Sequence, residues 1–242
     1  SNKLGFYTKK TMLIAQQLYE GIEIKGHGTI GLVTYIRTDS VRVSEIARNA
    51  AAKYITEQYS KEYLGNNVYT NKKKDVQDAH EAIRPSNLEL HPDQIKGSLT
   101  KDQYGLYKLI WSRFLASCMA SAVFDSTSVD IINGDYTLRA TGSRLKFDGY
   151  LKIYNNANED DEEKSLPTLE SGEKLIPVDV NGDQNFTQPP SRFTEAGLVR
   201  DLEEKNIGRP STYAPIIATL IERKYILREK RILVPTDLGF VV

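Results

Sequence analysis

The sequence predicts an α+β chain made of unlike segments, and three features carry that prediction. Apolar residues recur at helical spacing up to about residue 121, alternate with period two between residues 123 and 153, and return to helical spacing after Pro189-Pro190. With 242 residues, 40% hydrophobic and 26% charged, the chain has the composition of a folded protein with one large domain or two to three small ones.

The first segment reads as helical. Thr8 is a candidate N-cap, Met12, Leu13, Gln16 and Tyr19 follow at helix spacing, and Gly21 supplies the stop. Residues 30–35, after Gly26 and Gly28, form an apolar strand or extended connector. Asp39 and Ser40 offer caps for an Ala-rich helix over about 44–57. A polar loop around 72–74 leads into a helical turn at 78–83, ended by Arg84-Pro85 because the residue before proline is driven out of the α region. The last helix spans about 100–120, opens on a threonine cap and puts Tyr107, Ile110, Trp111 and Phe114 on its apolar face.

In the second segment Val129, Ile131, Tyr136, Leu138, Leu145, Phe147, Leu151 and Ile153 alternate as in strands, with turn signals at Asn133-Gly134 and Asp148-Gly149. The Asn, Asp and Glu run at 155–164 reads as a solvated loop, and a further strand is expected at 174–180, ending at Asn181-Gly182. In the third segment Thr194-Glu195 opens a helix to about Lys205, Ile207-Gly208-Arg209-Pro210 is a turn, and Ser211 caps a second helix to about Arg223. Residues 225–227 and 231–234 then pair as a hairpin. Helix, turn, helix and hairpin in that order suggest a winged-helix-like DNA-binding module.

The charge balance is zero, with 32 Lys and Arg against 32 Asp and Glu. That excludes a polybasic, histone-like coat, whose affinity comes from a large excess of cations over phosphate. Neutrality hides segregation: residues 1–121 carry 17 basic and 12 acidic groups, residues 122–191 carry 6 and 13, and residues 192–242 carry 9 and 7. The single cysteine, Cys118, has no internal disulfide partner, and in its apolar helical stretch it reads as a small hydrophobe in a reducing cytoplasm. No apolar run reaches membrane-spanning length and no export signal is visible, so a cytoplasmic protein is expected.

Three strings carry candidate chemistry. In Gly31-Leu-Val-Thr-Tyr-Ile-Arg-Thr-Asp-Ser40, an extended chain puts Tyr35 and Arg37 on one side, since side-chain direction repeats every two residues. A phenol beside a guanidinium suits attack on a phosphodiester, with the arginine neutralising the charged oxygens; Thr38, Asp39 and Ser40 add capping and hydrogen-bonding groups. Fourteen tyrosines are present, so on spacing alone a packing role remains the commoner reading of Tyr35. In Gln77-Asp78-Ala79-His80-Glu81-Ala82-Ile83-Arg84-Pro85-Ser86, His80 and Arg84 would be i,i+4 neighbours on a helical turn and present two phosphate-directed donors; a surface histidine paired with a carboxylate is the plainer alternative. In Asn206-Ile-Gly-Arg-Pro-Ser-Thr-Tyr213, Ser211 and Thr212 begin a helix whose N–H groups favour a phosphate and Arg209 adds charge, unless this is a simple helix-turn-helix corner. Arg223-Lys224, a helix later, fits either a solvated helix end or a backbone contact. His27, His80, His91 and Cys118 lack zinc-ligand spacing.

Taken together and in order, these strings resemble the type IA DNA topoisomerases. The resemblance is carried by Lys9-Lys-Thr-Met12 with Gln16-Gln-Leu-Tyr-Glu-Gly21, by Leu32-Val-Thr-Tyr-Ile-Arg-Thr-Asp-Ser40, by Asp78-Ala-His-Glu-Ala-Ile-Arg-Pro85, and by Phe193-Thr-Glu-Ala with Gly208-Arg-Pro-Ser-Thr-Tyr213. It implies a mainly helical domain with the catalytic tyrosine at 3–121, part of a β-rich arched gate at 122–190, and part of a helical single-strand groove at 191–242. Tyr35 would be the nucleophile that cuts one strand and becomes joined to its 5′ phosphate, Arg37 would contact the scissile phosphate, and His80 would help arrange the site. Thr38, Arg84, Arg209, Ser211, Thr212 and Arg223 would contact DNA.

The family's Mg²⁺ is held by an acidic Toprim domain that these residues do not contain, so the resemblance implies Mg²⁺ in the full-length enzyme and no metal in this fragment. It further implies an ATP-independent relaxing enzyme acting on single-stranded and negatively supercoiled DNA as a monomer in the bacterial cytoplasm, with the fragment inactive alone and the gate sheet incomplete. A non-enzymatic winged-helix binder of duplex DNA, based on 193–235, is the rival.

Overall fold

The computed structural model describes residues 3–69, 80–154 and 166–242. The expected loop at 72–74, the start of the expected turn at 78–79 and the acidic run at 155–164 lie outside the described residues. In chain order the main elements are α1 (Thr8–Glu20), β1 (Ile22–Ile24), β2 (Gly28–Ile30), α2 (Glu45–Gln58), α3 (Lys101–Ser117), β3 (Val123–Asn133), β4 (Tyr136–Phe147), α4 (Glu195–Glu204), α5 (Tyr213–Glu222), β5 (Ile226–Glu229), β6 (Ile232–Pro235) and α6 (Asp237–Val241). Among the described residues the strands pair as three two-stranded antiparallel sheets, β1-β2, β3-β4 and β5-β6. The mixed α+β class expected from the change of period is the class found. Two compact units emerge, Ser1–Ala120 with Ser191–Val242, and Ser121–Pro190. No helix among the described residues is long and apolar enough to cross a membrane.

In the first unit α1 packs on α3, and Leu18, Ile24, Leu32, Ile55, Tyr107, Leu115 and Met119 are almost wholly removed from water. Each such aliphatic side chain contributes about 2 kcal/mol through the hydrophobic effect. The two buried polar rings of α3 reach backbone acceptors: the Tyr107 hydroxyl donates to the Leu90 carbonyl at 2.7 Å and Trp111 Nε1 to the Leu88 carbonyl at 3.3 Å. Burial pushes the Tyr107 hydroxyl pKa up, so it stays a donor. α3 starts with a reciprocal cap, Gln103 N–H to Thr100 Oγ1 and Thr100 N–H to Gln103 Oε1. α2 starts at Ser44, whose oxygen accepts from Ala47 N–H.

α1 departs from the expected pattern. Its buried stripe is Ile14, Ala15 and Leu18, while Leu13 is 61% exposed and Tyr19 38%. α1 has neighbours in both α3 and α5, and these select the buried stripe over the one read from spacing. Nor does the Thr8 hydroxyl cap α1, because Thr8 is its first helical residue. The cap comes from a residue 187 positions away: Thr8 N–H donates to Glu195 Oε2 at 2.7 Å.

Glu195 lies in the first turn of α4, which its neighbour Thr194 caps by accepting from Gly197 N–H at 3.0 Å. The Glu195 side chain is only 6% exposed and also accepts from the Arg228 guanidinium on β5, which stacks over the Tyr7 ring at 3.9 Å. Burial pushes the Glu195 carboxyl pKa up, but the N–H of Thr8 and the charge of Arg228 outweigh it and hold the carboxyl below its ordinary value. One buried carboxylate thus joins α1 to α4 and β5.

The second unit is a long hairpin. β3 and β4 pair from Val123↔Phe147 to Asn133↔Tyr136 around a turn at Gly134-Asp135, and Arg139 clasps Asp130 across the ladder with bonds of 2.7 and 2.9 Å. Phe124, Ile132, Tyr136 and Leu138 are exposed. Leu151 lies in a short 3-10 turn, Gly149–Lys152, with Ile153 at its end, rather than in a strand. The strand expected at 174–180 does not form: Ile176, Val178 and Val180 are 83%, 101% and 84% exposed. Alternation marks a segment able to pair, but a strand needs a neighbour to receive its hydrogen bonds, and none of the described residues provides one.

Removing the Glu195 charge should destabilise the fold. Glu195→Gln is expected to cost about 2 kcal/mol in urea unfolding at pH 7. Because the folded carboxyl sits below its ordinary value of 4.5, this stabilisation is complete above that pH and fades as pH falls below it, so the two proteins should converge in acid. Equal stabilities at pH 7 would contradict the role given to Glu195.

Candidate active site

Residues 31–40 form a connector rather than a strand, with β2 ending at Ile30 and the chain bending at Thr34, Ile36 and Arg37. Its start is threaded close to α1: Leu32 N–H donates to the Leu18 carbonyl at 2.7 Å, and a Cβ on Gly31 would lie 2.7 Å from the Tyr19 carbonyl oxygen, so no larger residue fits there without displacing backbone. Val33 and Ile36 turn inward, at 3% and 4% exposure, and Tyr35, Arg37 and Asp39 turn outward. Tyr35 and Arg37 are both exposed, but Leu32 and Val33 are both buried and the chain bends at Thr34, Ile36 and Arg37, so the regular period-two alternation expected here is not followed.

The partner of this connector is residues 80–86, and here the structure corrects the sequence reading. These residues are extended, not helical, so His80 and Arg84 are not neighbours on a helix face. Local propensity yields to pairing with a distant segment. Val33 bridges Pro85, Thr34 N–H donates to the Arg84 carbonyl at 2.9 Å, Arg84 N–H to Thr34 Oγ1 at 2.9 Å, and Ser86 N–H to the Leu32 carbonyl at 3.0 Å. The Thr34 hydroxyl donates to the Ala82 carbonyl at 2.9 Å, and Ala82 N–H reaches the Arg42 carbonyl at 2.8 Å.

This pairing sets His80 against Tyr35, with ring centroids 5.0 Å apart and planes tilted by 47°. The ring of Tyr19, from the last turn of α1, also meets Tyr35, edge-on at 5.5 Å and 71°. Tyr35 remains 37% exposed beside them. Arg37 is exposed and has no ion pair or hydrogen bond among the described residues. Thr38 Oγ1 accepts from Ser40 N–H at 3.0 Å, and the Ser40 hydroxyl accepts from Arg42 N–H at 3.2 Å, a local fold that turns the chain toward the Ser44 cap of α2.

Arg84 is placed differently from a free phosphate donor. Its Nε donates to Glu81 Oε2 at 2.7 Å and its Nη1 to the Pro85 carbonyl at 3.0 Å, and the side chain is 16% exposed. Burial pushes the Glu81 carboxyl pKa up, but the Arg84 guanidinium and hydrogen bonds from Ser44 hold it below the ordinary range.

The turn before α5 is closed by Thr212, whose Oγ1 accepts from Arg209 N–H at 2.8 Å and donates to the Arg209 carbonyl at 3.1 Å. Ser211 therefore does not cap α5; the boundary residue is Thr212. Gly208 has φ +82° and a Cβ there would press on Thr212 and Ile216 at 3.0 and 3.1 Å. Arg209, exposed, folds its Nη1 onto the Gly208 carbonyl at 2.8 Å. Burial pushes the Tyr213 hydroxyl pKa up, Glu203 and Asp39 add to the rise, and Arg209 opposes it. Asp39 acting on Tyr213 places the start of α5 within electrostatic reach of the connector that carries Tyr35. Arg223, exposed at the far end of α5, belongs to no such cluster among the described residues.

Sequence reasoning missed the contribution of Tyr19, taken as one residue of a helix face, and of Thr34, taken as a link in a motif. Leu32-Val-Thr-Tyr and Arg-Pro-Ser, both rich in extended-chain formers, were the only signal for the pairing. Among the described residues no group of three or more His, Cys, Asp or Glu side chains is placed to share a metal ion, so these residues do not fit a Mg²⁺ site.

Thr34→Val, which keeps the shape and removes the hydroxyl, should cost about 1–2 kcal/mol in urea unfolding by leaving Arg84 N–H and the Ala82 carbonyl without their partner. An unchanged midpoint would contradict the clasp.

A family model described as DNA topoisomerase matches residues 1–242. The chain is also similar to a solved structure described as full-length topoisomerase I from Thermotoga maritima in a monoclinic crystal form, at 41% identity and a TM-score of 0.87. The match covers 98% of this chain and 38% of that one, so the chain spans well under half the length of that relative. With the four motifs, the fold and the family match in agreement, the chain belongs to the type IA DNA topoisomerases.

Proposed function

We propose that this chain carries the nucleophile and part of the single-strand grip of an enzyme that relaxes negatively supercoiled DNA without ATP. The observation that carries the proposal is the half-exposed Tyr35 phenol, in contact with the rings of Tyr19 and His80, with Arg37 two residues on, exposed and without a partner among the described residues. The Tyr35 oxygen forms a bond to phosphorus as its proton is lost, the bond from phosphorus to the 3′ oxygen breaks, and that oxygen takes up a proton. The 5′ phosphate stays on Tyr35 while a strand passes. Attack by the 3′ oxygen reverses the step, and because one phosphoester replaces another the bond energy is kept.

Arg37 would neutralise the phosphoryl oxygens and His80 would hold the nucleotide chain beside Tyr35. Thr38, Arg209, Ser211, Thr212 and Arg223 would line the path of the single strand, and Arg84 would join them by exchanging Glu81 for a phosphate. Residues 3–121, 122–190 and 191–242 would belong to the tyrosine, gate and groove domains. Mg²⁺ would be held by a Toprim domain outside this chain, in an enzyme acting as a monomer in a bacterial cytoplasm. The duplex-binding rival lacks a free recognition helix: α5 packs on α1, and Ile217, at its centre, is buried.

In the full-length enzyme, denaturant added during turnover should trap a DNA-linked protein, and Tyr35→Phe should give none; a persisting adduct would remove Tyr35 from its role. The isolated chain should bind single-stranded DNA weakly, with affinity falling as salt rises, and should leave a supercoiled plasmid with Mg²⁺ unrelaxed. Robust relaxation by the isolated chain would contradict the division of labour, and a preference for duplex would favour the winged-helix reading.

A further inference from the structure

The ring of Tyr19 is an unexplained feature of the site. It sits in the last turn of α1, 38% exposed, at the edge of the stripe of Ile14, Ala15 and Leu18 that holds the helix to the core. An exposed aromatic ring at the end of an amphipathic helix normally has no fixed partner, yet this one meets the Tyr35 ring edge-on with centroids 5.5 Å apart. Its backbone is fixed on both sides. Leu18 accepts from Leu32 N–H at 2.7 Å, Gly31 passes so close to the Tyr19 carbonyl that no Cβ fits, and Gly21, at φ +125°, ends the helix directly after. The Tyr19 hydroxyl has no hydrogen-bond partner among the described residues, so what it offers Tyr35 is the ring.

Resting on the reading of Tyr35 as nucleophile, we propose that Tyr19 is a positioning residue for the cleavage reaction: together with His80, whose ring also meets that of Tyr35, its ring restrains the Tyr35 side chain in the orientation from which the phenol oxygen attacks phosphorus. A phenol free to swing about its first two side-chain torsions spends little time in line with the bond that breaks, and loss of orientation of this kind lowers a rate without lowering affinity. The edge-to-face contact supplies that restraint, at a strength expected of aromatic pairs.

The experiment uses the full-length enzyme and a single-stranded oligonucleotide, measuring the single-turnover rate of adduct formation and, separately, the equilibrium affinity. Tyr19→Ala should form the adduct about tenfold more slowly with affinity within twofold of the parent. Tyr19→Phe, which keeps the ring, should restore most of the rate. Tyr19→Leu, which keeps apolar bulk but not the ring edge, should be as slow as Tyr19→Ala and guards against a folding defect as the cause. A normal rate in Tyr19→Ala or Tyr19→Leu, or a loss of affinity that accounts for the slower rate, would overturn the proposal. Tyr35→Phe is run beside them: loss of its adduct with a normal Tyr19→Ala rate refutes only the positioning role, whereas an adduct that survives Tyr35→Phe refutes the nucleophile assignment and the positioning role with it.

Discussion

The site depends on a pairing between two extended segments some fifty residues apart, with Thr34 as its clasp. Thr34 uses its N–H and its hydroxyl to engage Arg84 and Ala82, and the bonds on either side, Ser86 to Leu32 and Ala82 to Arg42, continue the register. Each bond contributes about 1 kcal/mol, little beside the hydrophobic core. Their importance is geometric. Sliding this pairing by one residue would break these bonds and carry Leu32, Val33 and Ile36 away from the core positions they fill. In the register found, the connector gives the apolar side chains of Leu32, Val33 and Ile36 to the core and those of Tyr35, Arg37 and Asp39 to the surface, and it brings the ring of His80 onto Tyr35.

A second long-range joint decides where the last segment sits. Residues 191–242 rejoin the first unit through a buried carboxylate that would be costly unpaired and is satisfied twice, by the first turn of α1 and by Arg228. The N-terminus of α1 is itself a favourable place for a negative group, because its N–H groups lack partners within the helix. The same joint sets α5 beside α1, and the start of α5 then lies near enough to Asp39 for that charge to act on Tyr213. The Gly208–Tyr213 turn and the Tyr35 connector, far apart in the chain, are thereby kept in one unit.

The helices were legible where the signal was local. Thr100 and Gln103 announce the start of α3, Ser44 that of α2, and Gly21 the end of α1. The hairpin around Gly134 and the hairpin after α5 were likewise visible, because tight turns and alternating residues are short-range features. What failed depended on distant partners. Glu195, not Thr8, caps α1; residues 80–85 are pulled extended by Thr34; residues 174–180 alternate like a strand and have no strand to join. The members of the site could be named from motifs, but the edge-on approach of Tyr19 and the occupation of Arg84 by Glu81 follow from how α1 and the two extended segments pack. A linear pattern does not encode those contacts.

The central claim is that the Tyr35 oxygen, and no other nucleophile of this chain, receives the 5′ phosphate of a cut strand. The most direct measurement is to trap the adduct of the full-length enzyme on a single-stranded oligonucleotide, digest protein and DNA, and locate the retained phosphate by mass spectrometry of the peptides. The account predicts a phosphotyrosine at Tyr35, within the peptide that also contains Ile36 and Arg37. A phosphate found on Tyr213, Ser40 or any residue other than Tyr35 would contradict it.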